Sequence, residues 1–352
     1  MLYIIIAILM FGILIALHEF GHFITAKLLG VRVNEFAIGM GPLLFSTQKG
    51  ETQYSLRAIP MGGFCAMEGE DDASDDPRAF SNKPAWRKFI ILVAGSFMNL
   101  LTGFVLLALL LAQNTFFVVP VIDTLMEGFP YESAQGLLPG DRIVRVNGER
   151  IYTKSDLDLF FGRDEDGIMD LVIERDGVRL ERPGFDLRPR EYTYEGETVQ
   201  MRGLICVREP FHVGNWLRQS WYNTIDMVRM VRLSLVDLFS GRAGIQDMSG
   251  PIGIVTMMSD VGAQSPNMAA ALANILWFVA FIAINLAVMN LLPIPALDGG
   301  QILFLLVGGI YHFFTHRRID QKYLGYINMA GFFCLIALMV VVAVSDVNKL
   351  IL

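Results

Sequence analysis

Hydrophobic residues are concentrated in four long blocks of the chain, and polar residues are concentrated between them. The blocks cover about residues 1–29, 89–112, 268–297 and 324–344. Each block is long enough for the roughly 20 residues that an α-helix needs to cross a bilayer. The first block has no basic residue before its apolar run and carries ionisable residues, which indicates a retained helix rather than a cleaved signal peptide. The pattern predicts a polytopic α-helical membrane protein with four transmembrane helices.

The composition agrees with this class and excludes others. The 352 residues are 53% hydrophobic and 18% charged, and the net charge is −7. A basic patch typical of nucleic-acid binding is not visible. Cys65, Cys206 and Cys334 lie in separate segments and form no C-x-x-C pair, so neither a disulfide framework nor a cysteine zinc site is predicted. The expected surroundings are therefore a lipid bilayer, and no nucleic-acid partner is expected.

Lysine and arginine residues near the ends of the blocks predict the orientation of the helices in the membrane. The basic residues are Lys27, Arg32, Arg87 and Lys88 in the first loop, and Arg317, Arg318 and Lys322 in the turn between the last two blocks. The opposite side has only Lys349 close to a helix. Because short basic loops stay in the cytoplasm, these two loops are predicted to be cytoplasmic. The termini and the long segment 113–267 are then extracytoplasmic.

The polar segment from about residue 116 to 208 alternates like a β-rich domain. A strand and an Asn-Gly turn are predicted at 141–148, and a strand and an Asp-Gly turn at 170–178. Any small β domain would satisfy this pattern. The run SAQGLLPGDRI from 133 to 143, followed by Asn147-Gly148, more specifically resembles a bacterial PDZ domain, which binds an extended chain as an added strand. We therefore expect an inserted, extracytoplasmic α+β PDZ domain.

The connecting region from 209 to 267 contains an amphipathic segment. Between Trp216 and Leu238, apolar residues recur at helical spacing among arginine and aspartate residues. Two interpretations remain open. The helix lies at a membrane interface, or it packs on the PDZ-like domain.

The candidate chemistry lies in HEFGH, residues 18–22, inside the first apolar block. Residues four apart on a helix project from the same face, so His18 and His22 can hold one metal ion between them. Glu19 lies beside them, where a carboxylate can take a proton from water at the metal. A pair of core histidines is the alternative, but ionisable groups inside membrane helices are costly and usually functional. The pattern therefore predicts a zinc peptidase site.

A third metal ligand must come from elsewhere, because a catalytic zinc takes three protein ligands and keeps one open position. Asp298, in NLLPIPALDGG from 290 to 300, is the main candidate. By the orientation argument it lies on the cytoplasmic side, at a depth similar to that of HEFGH. A cap for a helix beginning near Gln301 is the alternative role for Asp298. His312 and His316 are rival ligands.

The two motifs and the PDZ-like insertion together resemble the site-2 protease family over nearly the whole chain. The resemblance is greatest to bacterial intramembrane zinc metalloproteases that cut membrane-bound anti-sigma factors and remnant signal peptides. It implies that His18, His22 and Asp298 bind Zn²⁺ and that Glu19 is the catalytic base. It also implies a place in the bacterial cytoplasmic (inner) membrane and an upstream site-1 protease that first trims the substrate.

Further segments carry expectations from the same resemblance. Asn290 and Pro293 match the family's Asn-x-x-Pro element, which helps to hold the substrate near the metal. Residues 39–42 and 53–63, in the loop 30–88, resemble a cytoplasmic β-hairpin that dips into the membrane and pairs with unwound substrate. SGPIG from 249 to 253 resembles the segment ahead of the third helix. The expected organisation is 1–112 with two spans, 116–208 as the PDZ domain, 209–267 as a connector and 268–352 with two spans.

Two features depart from the family pattern. One PDZ-like domain is present, whereas proteobacterial relatives have two in tandem, so regulation known for those proteins is not carried over. Ser96 stands where relatives often have proline, and Asn99, three residues later, is a candidate polar contact within the membrane.

Two rival functions use the same residues. A non-catalytic scaffold would hold partners through the PDZ-like domain and keep a structural metal, but such a site has no need of Glu19. A metal transporter would need more polar residues along several helices, and the second and fourth blocks have few.

Overall fold

The computed structural model describes residues 2–70, 74–194, 196–317 and 321–351, so the predicted basic residue Arg318 lies outside the described residues. Residues 1–107 with 227–352 form one compact unit (unit 1), and residues 108–226 form another (unit 2). The helices are α1 (Leu2–Leu28), α2 (Ala85–Leu111), α3 (Lys154–Arg163), α4 (Val213–Ser240), α5 (Pro251–Ala263), α6 (Met268–Asn290), α7 (Asp298–Thr315) and α8 (Gln321–Ile351). The strands are β1 (Val33–Lys49), β2 (Thr52–Met67), β3 (Phe116–Leu125), β4 (Arg142–Val146), β5 (Glu149–Arg150), β6 (Ile168–Arg175), β7 (Val178–Asp186), β8 (Arg190–Tyr194), β9 (Glu197–Met201) and β10 (Leu204–Pro210).

Four helices in the described part of the chain are long and apolar enough to cross a membrane. They are Ile5–Leu28 in α1, all of α2 and α6, and Lys322–Lys349 in α8. A helix of sufficient length and apolarity therefore lies in each of the four predicted blocks. The third apolar block extends beyond its helix, because α6 ends at Asn290 and the block continues to about residue 297. Pro293 and Pro295 have no N–H group and cannot continue the helical hydrogen bonding.

The β-hairpin predicted between the first two spans is present and packs beside HEFGH. Strands β1 and β2 form an antiparallel pair. Within it, Phe36 of β1 is paired with two residues of β2, Cys65 and Tyr54. Phe36 and Cys65 belong to a buried cluster with Ala26 of α1 and Ile91 of α2. This cluster fixes the hairpin against the half of α1 that carries the candidate chemistry.

The SGPIG segment forms the start of α5. The N–H groups of Gly250 and Gly253 donate to the Asp346 carboxylate of α8, each at 2.9 Å. A Cβ added to either glycine would lie within 3 Å of this carboxylate, so glycine permits the close approach. Helix α5 in turn packs through Met258 against Leu14 of α1 and the α6 residues around Val279, which form one buried cluster.

Unit 2 is a mostly antiparallel β domain. Its main sheet has the strand order β10-β3-β4-β6-β7, with β5 paired to β4. The predicted Asn147-Gly148 and Asp176-Gly177 turns join β4 to β5 and β6 to β7, and all four residues have positive φ, as two-residue hairpin turns require. Buried Asp141 accepts hydrogen bonds from Arg175, at 2.6 and 2.7 Å, and from the N–H of Leu138.

The amphipathic segment is helical, as predicted. In unit 2, Trp216 Nε1 donates to the carbonyl of Ala108 at 2.8 Å. Asp226 accepts from Thr153 Oγ1, the N-cap of α3, at 2.7 Å. The contact with Thr153 agrees with the interpretation that this part of α4 packs on the inserted domain, whereas Trp216 contacts the last turn of α2.

Candidate metal centre

Helix α1 brings the two predicted histidine ligands together. Their Nε2 atoms are 3.2 Å apart, and both residues are buried. This follows from the one-turn spacing of HEFGH, which projects both rings from the same side of the helix. The histidine pair forms one side of the site.

Asp298 completes a cluster of three. Its Oδ2 lies 3.2 Å from His18 Nε2 and 3.4 Å from His22 Nε2. The alternative role as a helix cap is wrong, because Asp298 is itself the first residue of α7 and the N-cap is Leu297. Among the described residues, the group of histidine, cysteine and acidic side chains close enough to share a metal is His18, His22 and Asp298.

The rival histidine ligands lie elsewhere. His312 Nδ1 is 3.3 Å from the carbonyl of Arg317, and His316 is the left-handed C-cap of α7. Both are exposed. The structure therefore does not bring either of them into the cluster with Asp298.

The spacing of the three ligand atoms fits a zinc ion. Zinc bonds to nitrogen and oxygen are about 2.0–2.1 Å long, so two ligands of a tetrahedral site are separated by roughly 3.3–3.4 Å. The separations of 3.2, 3.2 and 3.4 Å match that edge length. Oδ2 of Asp298 is buried and receives no hydrogen bond from the described residues. Buried lone pairs that converge without a donor between them are stabilised by a cation.

The second ring nitrogen of each histidine has a partner on α2. His22 Nδ1 lies 2.8 Å from the carbonyl of Ile91, to which it can only donate, so Nε2 is left with its lone pair facing the cluster. His18 Nδ1 lies 3.2 Å from the side-chain amide of Asn99, whose Oδ1 is buried without a hydrogen bond. Since the oxygen and nitrogen of an amide are interchangeable by rotation, Asn99 can accept from His18 Nδ1 and fix the same tautomer.

A glycine on α2 gives the histidine rings their space. A Cβ added to Gly95 would lie 2.3 Å from His22 Nε2 and 2.8 Å from His18 Nε2. A Cβ on Gly21 of α1 would lie 2.4 Å from the carbonyl of Ala94. Both glycines therefore allow α1 and α2 to approach closely at the level of the site.

Glu19 faces the hairpin. An added Cβ on Gly63 of β2 would lie 3.5 Å from Glu19 Cγ, so this strand packs against the Glu19 side chain. Strand β2 thus orients the predicted base beside the cluster.

The two residues predicted to bind substrate lie in different positions. Asn290, the last residue of α6, has Nδ2 at 3.5 Å from His18 Nε2. Pro293 is exposed in the loop between α6 and α7. Their roles, and those of the three candidate ligands and Glu19, stay predictions.

Sequence reasoning named Asn99 only as a polar contact and missed Gly95 and the carbonyl of Ile91. The signal for Gly95 and Asn99 was their spacing, because residues four apart on α2 face the same neighbour. A carbonyl group leaves no such signal, because every residue has one.

Comparison with known proteins reveals similarity along the chain. The model of peptidase family M50 matches residues 6–338. A relative from Clostridium acetobutylicum, provisionally named as a zinc metalloprotease, is 36% identical over 347 residues, covering 98% of this chain and 97% of the relative. A similarly named protein of Fusobacterium nucleatum is 34% identical over 354 residues, with 98% of each chain covered. The regulator of sigma-W protease RasP of Bacillus subtilis is 27% identical over 428 residues, with 98% of each chain covered.

Proposed function

The chain belongs to peptidase family M50, the site-2 protease family, and is a membrane zinc metalloprotease; on that premise we propose that it hydrolyses peptide bonds within transmembrane segments. The observation that carries the proposal is the cluster of His18, His22 and Asp298. Its atoms are 3.2–3.4 Å apart, and two of its members lie on a helix apolar enough to cross a membrane. A soluble peptidase has no reason to bury its ligands there.

In this proposal His18, His22 and Asp298 hold the zinc ion, and Glu19 is the general base. When bound, zinc acts as a Lewis acid that makes water more acidic and polarises the scissile carbonyl. Glu19 takes a proton from the attacking water and delivers a proton to the leaving amine, so a peptide bond and one water yield a carboxylic acid and an amine. Strand β2 packs against the Glu19 side chain at Gly63 and so restricts its position beside the histidines.

Substrate binding is proposed at two places near the cluster. A helix shields its own carbonyls by hydrogen bonding, so the substrate must unwind before attack. The hairpin supports this step, because the β2 backbone lies beside Glu19 and can pair with an extended segment. Asn290, which ends α6 next to His18, and Pro293 in the following loop are the proposed contacts that hold that segment.

The substrate class is proposed to be single-span membrane proteins that an upstream site-1 protease has already trimmed. Anti-sigma factors are the first candidates, because one relative is named a regulator of sigma-W protease. Remnant signal peptides are the second. The distribution of basic residues supports a place in the bacterial inner membrane, with the metal site toward the cytoplasm and unit 2 outside.

Unit 2 is proposed to be a PDZ domain that docks trimmed substrates or excludes bulky ones. A cleft of about 380 Å³ lies between α3 and β10, the strand at one end of the main sheet. Leu157, Phe161 and Leu204 give it apolar walls. Arg202, whose guanidinium donates to the carbonyls of Leu187 and Phe161, lines its end. An extended chain added beside β10 fits this arrangement.

The test uses purified full-length protein and a transmembrane-helix substrate. Glu19→Gln is expected to lower the cleavage rate by about 10²–10⁴-fold while zinc per chain stays at the wild-type level. Asp298→Asn is expected to lower the bound zinc. Glu165→Gln, the same change at an exposed position of unit 2, is the matched control and should change neither quantity. Cleavage at the wild-type rate by Glu19→Gln would refute the role of Glu19 as the base.

Removal of the metal tests the role of zinc. A chelator should abolish cleavage, and added zinc should restore it.

A further inference from the structure

The loop that delivers Asp298 contains a residue in a disfavoured backbone conformation. Ala296, two residues before Asp298, has φ of 75°. The other non-glycine residues with positive φ in the described part of the chain are Asn147, Asp176 and His316. Asparagine and aspartate tolerate this region because their side chains can hydrogen-bond locally, whereas alanine has no such group. Something outside the loop must therefore stabilise the turn at Ala296.

The stabilising contact comes from α8. The N–H of Ala296 donates to Oδ1 of Asn328 at 2.9 Å. Gly331, three residues along the same helix, lies against Pro295, where an added Cβ would be 2.5 Å from the proline Cβ. Asn328 and Gly331 are half-buried, although most of the residues around them on α8 are exposed. The contact with the loop is thus local and directed.

The conformation of Ala296 determines where α7 begins. A Cβ added to Gly299 would lie 2.2 Å from the carbonyl oxygen of Leu292, and one added to Gly300 would lie 2.2 Å from that of Ile294. The first turn of α7 is therefore tightly packed against the loop between α6 and α7. Asp298 is the first residue of that turn. Rotation of Ala296 to an ordinary negative φ would move the chain immediately before Asp298 and displace its carboxylate from the two histidines.

We infer that Asn328 is a positioning residue for the metal centre: by holding Ala296 in its left-handed conformation, it places Asp298 within reach of the same zinc ion as His18 and His22. The inference rests on the proposed role of Asp298 as a ligand. It makes the fourth span part of the zinc site, although α8 contributes none of the three ligands.

The experiment measures zinc affinity of the full-length protein in detergent by competition with a chromogenic chelator. Asn328→Leu removes the acceptor at nearly constant volume and is expected to weaken zinc binding by about 10–100-fold, as loss of a ligand-supporting contact typically does. Ala296→Gly alone should change affinity little, because glycine adopts positive φ without steric cost. The double variant should recover most of the lost affinity. Asn348→Leu, the same change at an exposed position of α8, is the matched control.

A second readout distinguishes positioning from general stability. With Co²⁺ in place of zinc, Asn328→Leu should change the visible absorption spectrum, and the double variant should restore it. A residue that only helped α8 to pack would lower the melting temperature, leave the spectrum unchanged and gain nothing from Ala296→Gly. That result, or wild-type zinc affinity in Asn328→Leu, overturns the inference.

Two comparisons keep the inference separate from the proposed function. If Asp298→Asn binds zinc as tightly as the wild type, the proposed ligand set fails. If Asp298→Asn loses zinc but Asn328→Leu does not, only the inference fails. Where Asn328→Leu does not yield folded protein, Asn328→Ser, with a side chain too short to keep the same contact, is compared with and without Ala296→Gly under the same criteria.

Discussion

Replacing Gly95 by alanine tests whether the packing of α2 against the histidine pair sets the geometry of the zinc site. The new Cβ would lie 2.3 Å from His22 Nε2 and 2.7 Å from His18 Cε1. The optimum separation of non-bonded heavy atoms is about 3.5 Å, so the distance from the new Cβ to His22 Nε2 is too short by roughly 1.2 Å. The nearest atoms all belong to the two histidine rings, so the clash can be relieved only by moving α2 or the rings themselves.

The expected effect is large. Disturbing the groups that support metal ligands typically lowers metal affinity or activity by about 10–100-fold, and a clash of this depth belongs at the upper end of that range. We therefore expect Gly95→Ala to lower zinc affinity by about 100-fold, which corresponds to about 2.7 kcal/mol at about 1.4 kcal/mol for each factor of ten. Cleavage at limiting zinc should fall in parallel.

Gly103→Ala is the matched control. Gly103 lies two helical turns away on α2, and its added Cβ would meet Ile284 Cγ1 at 2.4 Å, a clash of similar depth with an apolar side chain. This variant should lower the melting temperature and keep its zinc. The assay is metal per chain and competitive zinc titration of both proteins in the same detergent. Wild-type affinity in Gly95→Ala, or equal loss in Gly103→Ala, would refute the argument.

Two further predictions concern contacts within the two units. Asn99→Leu should weaken zinc binding about 10–100-fold, because His18 loses the acceptor that fixes its tautomer. Asn99→Asp keeps an acceptor and should therefore bind zinc more tightly than Asn99→Leu. Competitive zinc titration measures both affinities, and equal values would contradict the tautomer argument. In unit 2, Arg175→Met removes the charged partner of buried Asp141, leaving it the N–H of Leu138, and should destabilise the domain by up to about 3–5 kcal/mol. Hydrogen exchange of β4 in the full chain measures this loss, and unchanged protection would show that Asp141 is satisfied by other groups.

The elements that could be predicted share a strong local signal. The four apolar blocks coincide with four helices long and apolar enough to cross a membrane, because the length of a helix in lipid is set by bilayer thickness. The Asn-Gly and Asp-Gly turns were predictable because few residue types adopt positive φ at two successive positions. HEFGH predicted its own geometry, since a one-turn spacing on a single helix brings His18 and His22 together without help from the rest of the chain.

The predictions that failed or stayed open depended on distant parts of the chain. The pattern favoured Asp298 as a ligand but left a helix cap as the alternative, and only the path of the loop after α6 placed Oδ2 within 3.4 Å of both histidines. The apolar block 268–297 did not show where the third span ends, because hydropathy continues beyond Asn290 while the prolines stop the helix. The amphipathic helix could not be assigned a partner, because a hydrophobic face does not identify what covers it.

The sequence alone predicted four helices long and apolar enough to cross a membrane, a β-rich insertion and, in His18 and His22, a histidine pair able to share a metal, because each of these depends on residues close together along the chain. Only the folded structure shows that Asp298 joins that pair, although 280 residues separate it from His18. It also shows that Gly95 and Asn99 of α2 contact the histidine rings and that Asn328 of α8 contacts the turn at Ala296. The physical reason is that a metal site requires separations of a few ångströms among atoms from different helices, and local propensities carry no information about how those helices pack.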